Sequence, residues 1–253
     1  RDLVRSRGLG DVYKRQGRNP LPALAVKCIK SWQKYLPDYE IREWNEDNFD
    51  VNIIPYTQEA YRAKKYAFVS DYARFWILYK YGGLYFDTDV EIIKPIDDII
   101  ARGSFMGCQI DEYTIDGLPA VAPGLGLGAV VGLEFYKEML NLYTQIRFLN
   151  SDGSLNLKTV VHYTTEQLCE HGLGKQDGIQ QIADIWIYAK EYFCPLDVFL
   201  QMNMTANSRT IHHFSSSWLP WHKQFIKKMK RILGYSCSTK LRQLLVKYRF
   251  LRK

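Results

Sequence analysis

The sequence predicts an α/β fold, and three observations carry that expectation. Short strand-like runs alternate with helix-like runs along the first hundred residues. A helix–glycine turn–strand unit, residues 66–89 (YAFVSDYARFWILYKYGGLYFDTD), stands at the centre of the pattern. The chain has 253 residues, 47% of them hydrophobic and 14% aromatic, enough to bury a substantial core as one body.

Taken in order, residues 1–16 (RDLVRSRGLGDVYKRQ) show neither strand alternation nor a helical stripe. They are set aside from the fold as an adapter-like or disordered extension. Residues 21–35 read as a helix with Pro22 in its first turn and Leu24, Ile29 and Trp32 on its apolar side. Residues 39–44 alternate like a strand, and residues 57–65 form a short helix. Phe68, Tyr72, Phe75, Trp76 and Tyr79 then recur at helical spacing, with Ser70 as an N-cap or first-turn residue. Gly82-Gly83 stops that helix, and Leu84-Tyr85-Phe86 reads as a buried strand. Residues 90–93 extend the strand, 96–100 make a short helix and 104–110 another strand. The glycine-rich run 123–128 lacks the lysine and spacing of a phosphate-binding P-loop. Helices over 133–146 and 163–171 follow, then strands over 184–188 and from Thr210 into a loop at Trp218.

The five cysteines (Cys28, Cys108, Cys169, Cys194, Cys237) are scattered and lack metal spacing, which suits free thiols in a reducing cytoplasm. No run reaches the length of a membrane span, and no secretory signal opens the chain. The net charge of +7 resides in residues 220–253, which hold eleven basic residues and no acidic one; without them it falls to −4. That tail reads as one or two basic amphipathic helices, suited either to an anionic membrane surface or to packing on the body as a solvated helix. No nucleic-acid reader motif accompanies the charge.

Candidate chemistry centres on Asp87-Thr88-Asp89. On a strand the two aspartates would point the same way, and two neighbouring carboxylates repel unless a cation or donors lie between them. Hard oxygen ligands suit Mg²⁺ or Mn²⁺, which also bind phosphate oxygens. A bare D-x-D is most often a solvated turn; here an Asp71/Arg74 pair at i and i+3, a double glycine and an apolar strand precede it in order. Downstream, His212-His213 and Ser215-Ser216-Ser217-Trp218 offer imidazole, hydroxyl and indole donors.

The combination Ser70, Asp71, Arg74, Gly82, Gly83, Tyr85, Asp87 and Asp89 resembles the DxD sugar-transfer family. That family includes yeast initiating mannosyltransferases and bacterial capsule and lipopolysaccharide enzymes, with the clostridial glucosylating toxins as distant relatives. The resemblance covers about residues 17–220. It implies a GT-A type, Rossmann-like nucleotide-sugar-binding domain over 17–219, with its first strand missing because residues 1–16 do not supply one. It also implies a metal-dependent retaining transfer of a hexose from a nucleotide diphosphate sugar (UDP- or GDP-hexose) to a glycan or lipid-linked acceptor in surface polysaccharide synthesis. Such an enzyme would work in the cytoplasm, peripheral to the inner face of the plasma membrane.

In that frame Asp87, Asp89 and His213 would hold Mn²⁺ or Mg²⁺. Asp71, Arg74, Tyr85, Asp87, Ser216 and Trp218 would bind the donor, with Asp71, Arg74, Asp87 and Asp89 as the catalytic set. His213 is chosen over His212 by its spacing to Trp218. Two rival readings stand beside this one: a degenerate sugar- or nucleotide-sugar-binding protein, and a metal-dependent phosphodiesterase or nucleotidyltransferase.

Overall fold

The computed structural model describes residues 9–12 by backbone, and residues 21–110, 119–175, 178–196 and 201–215. In chain order the elements are β1 (Leu9–Val12), α1 (Ala23–Tyr35), β2 (Ile41–Trp44), α2 (Pro55–Arg62), α3 (Tyr66–Tyr81), β3 (Gly83–Tyr85) and β4 (Val90–Ile92). They continue as α4 (Asp97–Arg102), β5 (Phe105–Ile110), β6 (Ala120–Val121), β7 (Leu127–Ala129), α5 (Glu134–Gln145) and α6 (Val160–Glu170). The last are β8 (Gln180–Ile182), β9 (Ile185–Tyr188), α7 (Lys190–Phe193) and β10 (Thr210–His212).

The α/β expectation is met by a central mixed sheet in the order β2-β1-β3-β7-β5-β9-β8, with β6 also on β5. Pairing is parallel among β2, β1 and β3 and between β5 and β9. It is antiparallel where β7 joins β3 to β5. A separate antiparallel ribbon pairs β10 with β4.

Strand alternation divides the apolar side chains between two cores. Tyr85, Met106, Leu127, Ile185 and Ile187 pack with α2, α3, α5 and α6. Leu84, Phe105 and Tyr188, on alternate positions, pack with Trp32 of α1, Ile99 of α4 and Phe193 of α7. Helices thus cover both faces, which explains why these strands are apolar throughout rather than alternating with polar residues. Helix α3 is the most enclosed: ten consecutive or near-consecutive residues from Phe68 to Leu78 are buried, Asp71 and Arg74 among them. Its C-terminus closes on Gly82, whose φ is +65° and whose N–H bonds to the Leu78 carbonyl at 2.9 Å.

Three expectations are corrected. Residues 1–16 do not all stand outside the fold: Leu9–Val12 lie between β2 and β3 and fill the place that the sequence left vacant. Parallel pairing uses backbone N–H and C=O groups, which a test for side-chain alternation does not read. Ser70 is no cap, because α3 begins a turn earlier at Tyr66; its hydroxyl donates to the Ala67 carbonyl at 2.7 Å. Residues 90–92 do not extend β3 but start the β4–β10 ribbon after a turn. Helix α7 and strand β8 add two elements that the periodicity does not announce, a four-residue helix and a three-residue strand too short to carry a pattern. No disulfide joins Cys28, Cys108, Cys169 and Cys194, as expected. Ser216, Trp218, Cys237 and the basic tail lie outside the described residues. Among the described ones no helix is long and apolar enough to cross a membrane.

One carboxylate ties the helical layer together. Glu59 of α2 accepts the Arg147 Nε–H at 2.8 Å and the N–H groups of Phe148 and Leu149 at 3.0 Å each. The Arg147 bond, against a smaller cost of burial, holds its carboxyl below the ordinary range. A lowered folded pKa contributes stability above the unfolded value that is lost as pH falls through the folded one. Glu59→Gln cannot accept from three donors as an ion does, so it is expected to cost about 1–3 kcal/mol at pH 7. Denaturant titration at pH 7 and below the carboxylate range checks this: the gap between wild type and variant should shrink in acid.

Candidate active site

The site begins with why Arg74 is where it is. One turn of helix sets Ser70, Asp71 and Arg74 on a common side. Arg74 Nε donates to the Ser70 carbonyl at 3.0 Å, and Nη2 donates to Asp71 Oδ1 at 3.1 Å and Ser70 Oγ at 3.3 Å. Its guanidinium carbon sits 4.9 Å from the centre of the Tyr85 ring, which β3 turns toward α3. Burial disfavours the charge, but Tyr85, Asp87 and Asp71 outweigh it and hold the Arg74 pKa above its ordinary value.

The D-x-D segment is a tight turn and not a strand end, with the Val90 N–H bonded to the Asp87 carbonyl at 2.9 Å. Convergence of the aspartates therefore comes from their partners and not from alternation. Asp87 Oδ1 accepts the Tyr85 hydroxyl at 2.8 Å and lies 3.6 Å from Arg74 Nη2. Its backbone N–H donates to the Gly124 carbonyl at 3.0 Å. Asp89, 3% exposed, accepts the Ser215 N–H on Oδ2 at 2.7 Å, and His212 Nε2 lies 3.3 Å from its Oδ1.

His212, not His213, joins the pair. Ligand atoms of Asp87, Asp89 and His212 all lie within 4.8 Å of one another. Antiparallel register places His212 opposite Val90, beside the turn, and sends His213 to the other face. There His213 Nε2 meets Glu91 Oε2 at 2.8 Å, and Lys27 donates to the same oxygen at 2.7 Å. Burial pushes the Glu91 carboxyl up, but these two partners outweigh it and leave it low. His213 still contributes through its backbone, whose N–H donates to the Asp89 carbonyl at 2.9 Å. The assignment of His213 as a ligand is thus corrected to a supporting position, because register with a strand 120 residues upstream chooses between adjacent histidines.

The residues fit a divalent cation on three grounds. Asp71 and Asp87 share the Arg74 guanidinium, and Asp89 adds a third, buried carboxylate beside Asp87, an excess of negative charge that burial makes costly. The His212 Nδ1 atom is buried and has no hydrogen-bond partner among the described residues. Two carboxylates with one imidazole form a donor set suited to Mn²⁺ and tolerable to Mg²⁺.

Gly124 is the site residue that sequence reasoning missed. A Cβ there would lie 2.4 Å from Asp87 Oδ2, so the absence of a side chain is what admits the carboxylate. The only signal was the glycine-rich run, which no motif template explained. Behind Asp71, burial and then the aspartate charge push the phenols of Tyr56 and Tyr143 far up, so the back wall stays neutral. In front opens a cavity of about 390 Å³ that Asp71, Arg74, Asp87, Asp89 and His212 share.

Residues 22–106 match the family model of the glycosyltransferase sugar-binding region containing DXD motif. That stretch, about a third of the chain, holds Asp71, Arg74, Tyr85, Asp87 and Asp89. Over 76 residues it is 32% identical to inositol phosphoceramide mannosyltransferase 1 of Schizosaccharomyces pombe, covering 30% of this chain and 23% of that protein. Over 86 residues it is 33% identical to inositol phosphoceramide mannosyltransferase 3 of the same yeast, covering 32% and 24%. The chain thus aligns with about a quarter of the length of each of these relatives. Among solved structures, PaToxG Glycosyltransferase superposes with a TM-score of 0.47 at 16% identity, over 65% of this chain and 69% of that one.

Proposed function

We infer that the protein is a GT-A type, metal-dependent retaining glycosyltransferase that moves a hexose from a nucleotide diphosphate sugar to a glycan or lipid-linked acceptor. The observation that carries this reading is the convergence of Asp87, Asp89 and His212 beside the buried Asp71–Arg74 pair in one cavity. A bound Mn²⁺ or Mg²⁺ would offset the charge that develops on the leaving diphosphate. The chain's own residues hold the sugar. Arg74, anchored on Ser70 and Asp71, offers a fixed planar fork to sugar hydroxyls, and Asp71 accepts from them. Tyr85 and Arg74 keep Asp87 aimed into the cavity.

In the proposed reaction the bond between the anomeric carbon and the diphosphate oxygen breaks as the acceptor oxygen bonds to the same face of that carbon. The acceptor's proton passes to the leaving diphosphate. Retention follows from the family resemblance and is read from the anomer first formed.

The test is donor hydrolysis with added Mn²⁺ across a panel of UDP- and GDP-hexoses, GDP-mannose included because both curated relatives are mannosyltransferases. Release of nucleoside diphosphate and free sugar is expected. Release of nucleoside monophosphate would instead identify a phosphodiesterase, and no turnover with any donor would leave a binding protein.

A further inference from the structure

The described lining of the cavity falls into two chemically unlike groups. Its described acidic residues and its arginine come from α3 and the Asp87–Asp89 turn. The other group comes from β5 with Gln109, from β6 and the residue after it with Ala120 and Ala122, and from the start of α6 with Thr159 and His162. Among the described residues this second group holds no carboxylate. Its polar atoms come from Gln109, Thr159 and His162, a small set of the kind that orients a ligand within an otherwise apolar pocket.

Helix α6 is anchored on the sheet. Thr165 of α6 accepts the Val121 N–H of β6 on its hydroxyl at 3.0 Å, which pins the helix to the sheet. Thr159 does not use its hydroxyl to cap α6, as a threonine at that position commonly does. Its Oγ1 lies instead 2.9 Å from His162 Nδ1 and tethers the imidazole at the cavity's edge. A cap interaction forgone to orient a solvent-facing ring costs the helix stability, which points to a role for the ring outside folding.

Resting on the glycosyltransferase reading, we propose that Gln109, Thr159 and His162 form the acceptor subsite, with the His162 imidazole as the hydrogen-bonding partner of an acceptor hydroxyl. The ligand class is a polyhydroxylated unit, a sugar or similar polyol, presented in the same cavity as the donor sugar held by Asp71 and Arg74. Thr159 acts through His162 as a positioning residue, and Gln109 supplies a second, amide contact from β5.

The experiment measures initial rates against varied donor and against varied methyl glycosides of mannose, galactose and glucose as acceptors. Loss of one neutral hydrogen bond corresponds to about a three- to tenfold change in affinity. His162→Phe, which keeps ring size, is expected to raise the acceptor KM by that factor or more while the donor KM moves less than about twofold. His162→Asn should restore part of the loss, and Thr159→Val should reproduce it more weakly. An acceptor KM unmoved by His162→Phe, or donor and acceptor KM rising together in both His162 variants, overturns the subsite. Wild-type protein that turns over no donor overturns the glycosyltransferase reading and the subsite with it; an active wild type with an unmoved acceptor KM overturns the subsite alone.

Discussion

Asp89→Asn is expected to abolish metal-dependent donor turnover while leaving the metal-free protein as stable as wild type. The carboxylate is buried, accepts the Ser215 N–H and stands beside His212, so replacing it removes a charged ligand and little volume. The asparagine carbonyl can still accept the Ser215 N–H. Metal-free folding should not suffer, because one of two neighbouring carboxylates is gone and their mutual repulsion falls. Function has no such compensation: a cation at a phosphate leaving group is worth several kcal/mol, so turnover should drop by about 10²–10³-fold. Melting curves with and without Mn²⁺ separate the two effects. Wild type should be stabilised in proportion to metal occupancy, and the variant should not. A variant that Mn²⁺ stabilises as it does wild type would remove Asp89 from the metal site.

Gly124→Ala should approach the same loss without touching any charged residue. The added methyl would sit 2.4 Å from Asp87 Oδ2, well inside contact distance, so the carboxylate must move. It cannot move cheaply, since the Tyr85 hydroxyl holds its other oxygen at 2.8 Å and Arg74 stands 3.6 Å away. Gly124 has no positive φ, so alanine suits its backbone and the lesion falls on the aspartate alone. A displacement near 1 Å in a reacting constellation costs about 10²-fold, and a loss of that size in turnover is expected with a melting temperature near that of wild type. Wild-type kinetics in Gly124→Ala would mean that Asp87 is not held in a working position. An equal fall in activity and melting temperature would mean that the glycine serves packing.

Local readings succeeded wherever a single element decided the outcome. The spacing of apolar residues announced α1, α3 and α5, Gly82 ended α3 where a positive φ was needed, and Asp71 and Arg74 fell together because helical geometry puts i and i+3 side by side. The same logic failed where pairing across the chain decides. Leu9–Val12 carries no alternation, yet the strand it forms is defined by backbone bonds to β2 and β3. The aspartates were expected to converge by alternation on a strand; they converge from a turn, aimed by Tyr85, Arg74 and Ser215.

By itself the sequence determined the chemistry on offer: an acidic pair, an arginine fixed to a helix, histidines downstream and a fold class able to bring them to one sheet face. These follow from side-chain identity and from periods of two and 3.6, which are local properties of the chain. Only the tertiary structure decided which of two adjacent histidines joins Asp87 and Asp89, which glycine makes room for Asp87, and that His162 lines the same cavity. Those choices depend on the β4–β10 register and on the approach of segments far apart in sequence. A shift of one residue in that register would exchange His212 for His213, and nothing local to the two residues distinguishes them.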